Sequence, residues 1–507
     1  MPPADNTLPE EILIRPPRKL SRLSVVLPGS KSITNRALIL AALGSRTTIL
    51  HGALFSDDTR AMLDCLKKLG FDVAFDEAAR TISVRGEGGE IPNSQAELFV
   101  ENAGTAARFI VALLALKKGG NYVLDGTKAM RKRPMRGLLD ALEKLGCEFT
   151  FAGEVGHFPF SMKTRGIVAD SVAVDAAASS QILSALLLIA PCAAKPGKTF
   201  SIELLGATVS RPFVAMTLSM IRQFGGATEA RGNTFVCAGA YPTTNPDGNN
   251  FVYEIEPDAT AASYFAILPF VHHECEIEIP GFATHGGLQG DAAFATTIAT
   301  PPHDLISLRE IPAHNHKPST TIVAAGTSQQ TFDADFNAIS DTFLTLAAVA
   351  PLFATTKPRV GGGNNAETCH HHGHDHNDNH HNGDCCHHHD PQALTIRGIA
   401  HTRRQETNRV AAMATELAKI VGEKNVQQTE DSLSVIPCAL SEIRARADAQ
   451  PDGAIRIETY NDHRVAMSFA VLATFDLRGD GSPWLAIKNP RCCAKTFPDF
   501  FSRLPQG

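Results

Sequence analysis

Residues 57–70 read Asp-Asp-Thr-Arg-Ala-Met-Leu-Asp-Cys-Leu-Lys-Lys-Leu-Gly, which combines a helical pattern with a glycine stop. The apolar residues between Met62 and Leu69 recur every three or four positions and therefore share one helix face. Gly70 supplies the left-handed conformation that commonly ends a helix. Three further segments show the same pattern and also end at glycine, namely 131–146, 211–225 and 406–422.

The glycines that end these helices follow a regular spacing. Gly70, Gly146 and Gly225 are separated by 76 and 79 residues, and short strand-like runs such as 80–84 and 199–204 lie between the helices. A strand-and-helix unit that recurs at this interval predicts an internally repeated α/β protein. An α/β protein without repeats also offers helices that end in glycine, and that alternative stays open.

Length and composition restrict the class of protein. A chain of 507 residues is too long for one hydrophobic core and predicts at least two domains. The hydrophobic fraction of 43% and the charged fraction of 20% exclude a mostly disordered chain. The net charge of −6 gives no overall basic character for a nucleic-acid binder, although it permits a local cationic cleft. The longest apolar run, 182–194, is too short to cross a bilayer.

The N-terminus and the cysteines indicate a compartment. Residues 1–17 are acidic, with no apolar core of a signal peptide and no character of a transit peptide. The eleven cysteines are scattered with no framework spacing, as expected for reduced thiols. We expect a cytoplasmic monomer without nucleic-acid or membrane partners.

The turn-rich stretch 237–253 predicts a crossover between domains.

The densest polar motif is Leu-Pro-Gly-Ser-Lys-Ser-Ile-Thr-Asn-Arg at 27–36. It predicts a turn that leads into a helix N-terminus, where Lys31 and Arg36 add charge to free backbone N–H groups and suit an anion. The first glycine of a nucleotide-binding phosphate loop is missing. A capped and solvated helix start is the alternative.

Other segments carry polar residues that also fit anion binding or acid–base chemistry. Asn102–Thr105, Ser179–Gln181 and Ser210–Pro212 each precede an apolar run, so each is either an anion site or an ordinary helix cap. Asp341 would open a helix, and Glu406 is an acidic candidate. The candidate cations without an evident partner in the sequence are Arg133, Arg409, Arg464 and Lys495.

Taken together, these segments resemble the family of 3-phosphoshikimate 1-carboxyvinyltransferases, also called 5-enolpyruvylshikimate-3-phosphate synthases. Seven motifs occur in the family's order over nearly the whole chain. They are Leu-Pro-Gly-Ser-Lys-Ser at 27–32 with Asn-Arg at 35–36, Asn-Ala-Gly-Thr-Ala at 102–106, Arg-Pro at 133–134, Ser-Ser-Gln at 179–181, Glu-Thr-Asn-Arg at 406–409, Tyr-Asn-Asp-His-Arg at 460–464 and Ala-Lys-Thr-Phe-Pro at 494–498.

The resemblance implies an α/β fold of two domains, each built from three βαβαββ units. One domain would comprise residues 27–253, and the other residues 1–26 and 254–507. The implied reaction transfers the enolpyruvyl group of phosphoenolpyruvate to the 5-hydroxyl of shikimate 3-phosphate and releases phosphate, within aromatic amino acid biosynthesis. It implies no cofactor and no catalytic metal. Because both substrates are anions, a cleft rich in fixed cations is needed.

The resemblance also implies roles for individual residues. Asp341 is the expected general base for the hydroxyl, and Lys31 and Glu406 are the expected proton donor and acceptor near the methylene carbon. The residues implied for shikimate 3-phosphate are Lys31, Ser32, Arg36, Ser179, Ser180, Gln181, Ser210, Asp341 and Gln405. The residues implied for phosphoenolpyruvate are Lys31, Asn102, Gly104, Arg133, Gln181, Arg409, Arg464 and Lys495.

The chain departs from the family pattern at three positions. Gln405 stands where a lysine is usual, which removes one cation from the phosphate site, and Arg403 or Arg404 could replace it. Phe213 stands in place of a frequent tyrosine, and Asn408 in place of the usual aspartate. These changes bear on substrate affinity more than on reaction type. Gly104 leaves room at the phosphoenolpyruvate site, and the resemblance therefore predicts inhibition by glyphosate.

Ten of the 20 histidines fall between 370 and 389, a tract with no counterpart in the family pattern. Imidazole and thiolate bind zinc, nickel and copper, but the spacings define no single closed site. We expect a disordered surface insertion with incidental weak metal affinity, and physiological metal storage or sensing is the alternative. The residues available for weak binding include His370, His372, His374, His376, His387 and His389.

Two rival functions can be compared with the sequence. An enolpyruvyl transferase acting on UDP-N-acetylglucosamine typically has Lys-Asn in its first motif and a reactive loop cysteine, whereas here Ser32 follows Lys31. A metal-binding protein on a defunct enzyme scaffold is disfavoured, because the expected acid–base and anion-binding side chains are all present.

Overall fold

The computed structural model describes residues 8–177, 179–206, 211–241, 250–314, 317–324, 331–355 and 393–507. The predicted site residue Ser210 and the whole histidine tract lie outside these residues. The predicted states of the tract, a disordered insertion or a metal-binding segment, therefore stay predictions.

Over the described residues the chain forms 23 strands, most of them of three to five residues. They are β1 (Glu11–Leu13), β2 (Arg22–Ser24), β3 (Thr47–His51), β4 (Val73–Asp76), β5 (Thr81–Arg85), β6 (Gln95–Phe99), β7 (Lys118–Asp125), β8 (Cys147–Phe151), β9 (Phe160–Arg165), β10 (Ser171–Asp175), β11 (Thr199–Leu205), β12 (Ala227–Arg231), β13 (Thr234–Ala238), β14 (Phe251–Glu254), β15 (Glu276–Pro280), β16 (Ile306–His314), β17 (Lys317–Ala324), β18 (Phe332–Asp335), β19 (Leu394–Arg397), β20 (Val426–Gln428), β21 (Ser432–Val435), β22 (Ile455–Ile457) and β23 (Leu485–Lys488).

The same residues form 15 α-helices and six short 3₁₀ helices. The α-helices are α1 (Lys31–Leu43), α2 (Asp57–Lys68), α3 (Gly104–Leu114), α4 (Lys128–Arg131), α5 (Arg136–Lys144), α6 (Ser180–Ala193), α7 (Arg211–Gln223), α8 (Ala259–Ala266), α9 (Leu268–His272), α10 (Ala293–Ala299), α11 (Phe343–Val349), α12 (Arg409–Val421), α13 (Leu440–Asp448), α14 (His463–Ala473) and α15 (Phe500–Arg503). The 3₁₀ helices are Gly290–Ala292, Asn337–Ile339, Ala350–Thr355, Ala400–Arg404, Glu423–Asn425 and Pro490–Lys495.

The described strands form six small sheets with a shared topology. Five of them contain a parallel pair followed by two antiparallel strands, with the orders β14-β3-β5-β4, β6-β7-β9-β8, β10-β11-β13-β12, β2-β15-β17-β16 and β18-β19-β21-β20. The sixth, β22-β23-β1, has the parallel pair and one antiparallel strand. In the units that begin at β6, β10 and β18, a crossover helix joins the parallel strands and a second helix leads to the antiparallel hairpin. This is the βαβαββ unit.

The buried apolar side chains form two separate cores. One core takes residues between Ile33 and Ile255, and the other takes Ile14–Leu27 together with residues from Ala259 to Leu504. Each core lies among three of the six sheets. The exact domain boundaries at residues 27 and 254 stay a prediction, because Leu27 and Ile255 each pack in the core opposite to the one that these boundaries give them.

The chain passes between the two halves twice, and the two crossings lie side by side. Ser30 donates its backbone N–H to the carbonyl of Glu256 at 2.8 Å, and Asp258 donates to the carbonyl of Pro28 at 2.9 Å. Gly29 lies between these bonds, opposite Pro257. A Cβ on Gly29 would lie 2.0 Å from the carbonyl oxygen of Gly52, so only glycine permits this close approach.

The helices expected from the glycine stops are present, but two of them differ at their starts. The helix predicted over 406–422 begins only at Arg409, because Asn408 is its N-cap. Gly70, Gly146, Gly225 and Gly422 all have positive φ, as a left-handed helix end requires. The helix predicted over 131–146 is wrong in its first turn, because it is divided into α4 and α5 around Pro134. Proline has no N–H to donate and its ring clashes with the preceding turn, so the chain starts a new helix after it.

Candidate active site

A cavity of about 200 Å³ lies between the two halves of the molecule. Its wall contains seven cationic side chains and only two carboxylates, Asp341 and Glu406, although the whole chain is acidic. Such a cavity has a positive potential and attracts small anions. The seven cationic residues are Lys31, Arg36, Arg108, Arg133, Arg404, Arg409 and Arg464.

The Gly-Ser-Lys-Ser turn starts α1, as predicted. Ser30 is the N-cap, and its hydroxyl accepts the backbone N–H of Ile33 at 3.5 Å. The Lys31 side chain is 13% exposed and pairs with Asp58 across 3.1 Å, while its backbone N–H donates to Asp258. The turn therefore presents one anchored ammonium group, with Ser32 beside it on the cavity wall.

Arg36 is buried one turn further along α1. Its guanidinium donates to Thr217 Oγ1, to the carbonyl of Ser32, to Ser184 Oγ and to the carbonyl of Phe213 at 2.8–3.4 Å. These bonds use four of the five N–H groups that an arginine carries. Burial lowers the pKa of Arg36 to about 9, so the group keeps its charge at neutral pH. One N–H and the positive charge are left for a ligand.

The Ser-Ser-Gln motif starts α6 and extends to a buried arginine that the sequence analysis missed. Ser179 caps the helix, and Gln181 donates to Thr105 Oγ1 at 3.1 Å. The amide oxygen of Gln181 accepts from Arg108 at 3.0 Å. Burial, together with Arg133, lowers the pKa of Arg108 to about 9. Arg108 lies within apolar sequence, and an arginine in such a position could have indicated a buried, functional cation.

Arg133 packs on the backbone of Gly104, the first residue of α3. A Cβ built on Gly104 would lie 2.5–2.7 Å from the guanidinium atoms of Arg133. The glycine therefore fixes where Arg133 can sit against the cavity. Asn102 lies in the turn just before α3, half-buried, and neither Asn102 nor Gly104 reaches the cavity wall.

Asp341 precedes α11, but it does not cap that helix as predicted for a helix-opening aspartate, because Thr342 occupies the N-cap position. Its two carboxylate oxygens accept from Arg409 at 2.9 Å and from Arg464 at 2.8 Å. Burial raises the pKa of Asp341, but Arg464 and Arg409 outweigh burial and bring the pKa below its ordinary value. Asp341 is therefore a carboxylate at neutral pH.

Arg409 holds three carboxylates in fixed positions. It donates to Asp341, to Glu406 at 3.0 Å and twice to Asp462 at 2.8 and 3.3 Å, and it also donates to Gln405. These bonds use all five of its N–H groups. A substrate can reach Arg409 only by displacing one of these partners. The sequence analysis quoted Asp462 within a motif but gave it no role, whereas here it is fully buried beneath Arg409.

Glu406 lies between two cations. Lys495 donates to one of its oxygens at 2.8 Å, and Arg409 donates to the other. Burial would raise the pKa of Glu406, but Lys495, Arg409 and Arg133 hold it well below its usual range. Burial would likewise lower the pKa of Lys495, yet Glu406 and Asp58 raise it. Lys495 therefore reaches the cavity through Glu406, since it does not line the wall itself.

Arg404, and not Arg403, is placed to replace the lysine that is usual at position 405. Gln405 lines the cavity and accepts from Arg409. Arg403 is tied to the neighbouring surface by the carbonyls of Thr429 and Glu430 and by the Gln428 side chain. Arg404 lines the cavity, so it is the arginine positioned to supply a cation there.

His463 is a further cavity residue without a predicted role. Its ring is 1% exposed, and neither ring nitrogen has a hydrogen-bond partner within the described ranges. Burial, then Arg464 and Lys31, lower the pKa of His463 well below its usual value, so the ring is neutral. The described residues contain no group of three or more His, Cys, Asp or Glu side chains arranged to hold a metal ion.

Most of the predicted site residues therefore come together. Ser180 and Ser32 both line the cavity. Of the predicted site residues that the structure describes, only Asn102, Gly104 and Lys495 do not line it. The two halves each contribute to the cavity, as the two groups of motifs implied.

The fold matches solved enolpyruvyl transferases over almost the whole chain. An EPSP synthase from Acinetobacter baumannii superposes with a TM-score of 0.68 at 20% sequence identity and covers 97% of each chain. The enolpyruvyl transferase NikO from Streptomyces tendae gives a TM-score of 0.62 at 13% identity, over 97% of this chain and 96% of that chain. The predicted two-domain enolpyruvyl transferase fold is confirmed.

Sequence comparison places the chain within one family. A 3-phosphoshikimate 1-carboxyvinyltransferase from Opitutus terrae is 41% identical over 98% of this chain and 97% of its own length. One from Nostoc punctiforme is 34% identical over 95% of this chain and 96% of its own length. The family model of EPSP synthase (3-phosphoshikimate 1-carboxyvinyltransferase) matches residues 14–370 and 387–504, and the gap falls within the histidine tract. The chain belongs to the EPSP synthase family.

Proposed function

We propose that the cavity transfers the enolpyruvyl group of phosphoenolpyruvate to the 5-hydroxyl of shikimate 3-phosphate and releases inorganic phosphate, a step of aromatic amino acid biosynthesis. The observation that carries this proposal is the excess of seven cations over two carboxylates in one cavity of an acidic chain. Two polyanions can be held together only where fixed charges offset their repulsion. Family membership supplies the identity of the two anions.

The first-half wall is proposed to hold shikimate 3-phosphate. Ser32, Ser179 and Ser180 offer hydroxyl donors, and Arg36 keeps one N–H and its charge for the phosphate. Ser210, which lies outside the described residues, is assigned to the same group from its motif alone. Asp341 and Gln405 would face this substrate from the second half.

The remaining polar residues of the cavity wall are proposed to hold phosphoenolpyruvate. Lys31, Arg133 and Gln181 line the cavity from the first half, and Arg464 lines it from the second. Arg409 and Lys495 would join them when the substrate displaces one carboxylate from each. Gly104 packs against Arg133, and Asn102 is assigned to the same group from its motif.

The addition step uses one base and one acid. Asp341 accepts the proton of the 5-hydroxyl while the oxygen attacks C2 of phosphoenolpyruvate, and the Lys31 ammonium donates a proton to the methylene carbon. Asp341 is ionised at neutral pH and fixed by two arginines, which suits it to orient the hydroxyl. A positioned acid or base typically contributes about 10²–10⁴-fold in rate.

The elimination step removes a proton from the same carbon. Glu406 accepts a proton from the new methyl group as the carbon–oxygen bond to phosphate breaks, and this proton then returns to Lys31, which lost one in the addition step. Lys495 and Arg409 hold Glu406 in its ionised form, ready to accept. Closure of the two halves around the substrates would exclude water and strengthen these charge interactions.

The cellular setting is also proposed. We place the protein in the cytoplasm as a monomer, with the two domains divided at residues 27 and 254. The cysteines of the described residues are all unpaired, which suits a reducing compartment. None of the helices described is both long and apolar enough to span a bilayer.

The direct test supplies the purified full-length chain with both substrates and measures phosphate release, with the vinyl protons of the product followed by NMR. We expect one phosphate for each product molecule, and none when shikimate 3-phosphate is omitted. Turnover of UDP-N-acetylglucosamine in its place would assign the chain to the rival reaction. No phosphate release with either acceptor would contradict the proposal.

A pair of lysine variants ties the activity to the cavity. Lys31→Ala removes the anchored ammonium of the cavity, and we expect turnover to fall by at least about 10²-fold. Lys68→Ala removes an exposed lysine that pairs with Asp64 on α2, and turnover should stay unchanged. Equal activity of the two variants would place the chemistry elsewhere.

A further inference from the structure

Asp291 is a buried carboxyl group to which the proposed reaction assigns no role. It lies in the 3₁₀ helix Gly290–Ala292 and is 8% exposed. Thr260 of α8 donates its hydroxyl to Asp291 Oδ2. No other hydrogen bond to the Asp291 carboxylate is found among the residues that the structure describes. Its second oxygen is therefore available to the space beside it.

That space is a second cavity of about 20 Å³, the size of one water molecule. Asp291 and Asp341 both line it, together with Arg464, Asp258 and Lys31. Three of these residues also line the substrate cavity, so the small cavity adjoins it. A water molecule here has several polar partners and can connect the two carboxyl groups.

Asp341 cannot hold the proton that it accepts. Both of its oxygens are bonded to arginines, and the resulting low pKa makes the protonated form unstable. The proton must therefore pass to a second acceptor while the carbon–oxygen bond forms.

Asp291 has the properties of that acceptor. Burial, and then the negative charge of Asp341, raise the pKa of Asp291 to about 7, against the smaller opposing effects of Thr260 and Arg464. The charged groups that face it are Asp341, Arg464 and Asp258, with Lys31 across the small cavity. A group with this pKa both binds and releases a proton at neutral pH.

We propose that Asp291 is a positioning residue that acts through Asp341 and relays the hydroxyl proton by way of one water molecule in the small cavity. The proposal rests on the proposed function. The O–H bond of the substrate breaks as an O–H bond to Asp341 forms, and the proton then passes through the water to Asp291. It returns along the same path to the released phosphate, so no oxidant or reductant is consumed.

The test is the pH dependence of kcat in Asp291→Asn, which preserves size and can still accept from Thr260. In the unchanged chain we expect kcat to fall as pH drops through about 7, because protonated Asp291 cannot accept a proton. In Asp291→Asn we expect kcat at pH ~8 to be about 10²-fold lower, without the acid limb near 7. The KM of each substrate should change less than about twofold, since Asp291 touches neither.

Two variants of Thr260 provide a matched control. Thr260→Val removes the donor that stabilises ionised Asp291, so the pKa of Asp291 rises further and the acid limb shifts to higher pH. Thr260→Ser keeps the hydroxyl, and its profile should match the unchanged chain. An acid limb that stays in place in Thr260→Val would overturn the relay, even if Asp291→Asn failed to fold.

The outcomes separate this inference from the function on which it rests. If the unchanged chain releases no phosphate with both substrates, the proposed function fails. If it turns over normally and Asp291→Asn keeps the same kcat and pH profile, only the relay fails. A fall in kcat with an unaltered profile would indicate a merely structural role and would also overturn the relay.

Discussion

In the first half of the chain, Arg36 and Arg108 are buried against hydroxyl, carbonyl and amide groups, whereas in the second half Arg409 and Arg464 are buried against carboxylates. The electrostatic consequences are opposite. Burial without a counter-ion lowers the pKa of the first pair. Burial also acts to lower the pKa of the second pair, but Asp462 and Glu406 beside Arg409, and Asp341 beside Arg464, raise it above its ordinary value.

The presence or absence of carboxylate partners suits the two walls to different tasks. Charge that is not neutralised by the protein is available to a ligand, so the first-half wall is suited to bind anions. Charge that is already paired holds carboxylates in place, so the second-half wall is suited to transfer protons. Replacing a carboxylate that Arg409 or Arg464 holds should therefore lower kcat, whereas displacing or removing a cation that has no carboxylate partner should raise a KM.

The largest effect is expected from the proton-transfer wall. Asp341→Ala removes the proposed base, and we expect kcat to fall by roughly 10²–10⁴-fold while the KM of each substrate changes little. Arg409 keeps Asp462 and Glu406 as partners, and Arg464, which loses its carboxylate, lines the cavity where water can hydrate it. The fold should therefore survive, as circular dichroism would show. Near-normal turnover would disprove the assignment of the base.

The next effect concerns stability. Asp462→Ala removes two of the hydrogen bonds that hold buried Arg409 and also the N-cap of α14, and we expect the free energy of unfolding in urea to fall by about 3–5 kcal/mol. Asp448→Ala is the control, because Asp448 pairs with Arg478 while 55% exposed, and such pairs contribute less than about 1 kcal/mol. Equal losses in the two variants would contradict the contrast between buried and exposed pairs.

A smaller effect is expected on the anion-binding wall. Gly104→Ala places a methyl group against Arg133 and should displace it, so that the KM for phosphoenolpyruvate rises about tenfold, or about 1.4 kcal/mol. Glyphosate, predicted to inhibit the unchanged chain, should inhibit this variant less. Gly153→Ala is the control, because a Cβ there meets nothing within 4 Å. Turnover of the unchanged chain unaffected by millimolar glyphosate would refute the inhibition.

The smallest effect compares adjacent arginines. Arg404→Ala removes an exposed cation of the cavity wall, and we expect the KM for shikimate 3-phosphate to rise about fivefold, or about 1 kcal/mol, with kcat unchanged. Arg403→Ala removes a guanidinium held by the surface around Gln428 and should leave both constants unchanged. A larger effect at Arg403 would reverse the assignment of the replacement cation.

Local sequence signals predicted a large part of the fold. Ser30 and Ser179 cap helices at the expected places, and the glycine stops fall where positive φ is needed. These features depend on a few neighbouring residues, so they can be inferred from the chain alone. Pro134 was an equally local signal. The prediction of one helix over 131–146 was wrong because it gave the apolar periodicity more weight than the missing N–H of this proline.

The site was predicted in its residue types but not in its pairings. Arg108 meets Gln181 across 73 positions, and Arg409 meets Asp462 across 53. Such pairs form only when separate βαβαββ units pack together, and no local pattern encodes that distance. Motif order indicated which residues gather, whereas the choice of Arg404 over Arg403 required the direction of each side chain.

The paired crossings at residues 28–30 and 256–258 define an axis between the two halves of the molecule. Because backbone bonds join them on both sides of Gly29, the halves can turn about this line more easily than they can slide along it or pull apart. Lys31 follows these crossings directly, so a rotation of the halves about them would move it least. In such a rotation the Lys31 ammonium group would keep its position, while the charged side chains further from the crossings would move toward it.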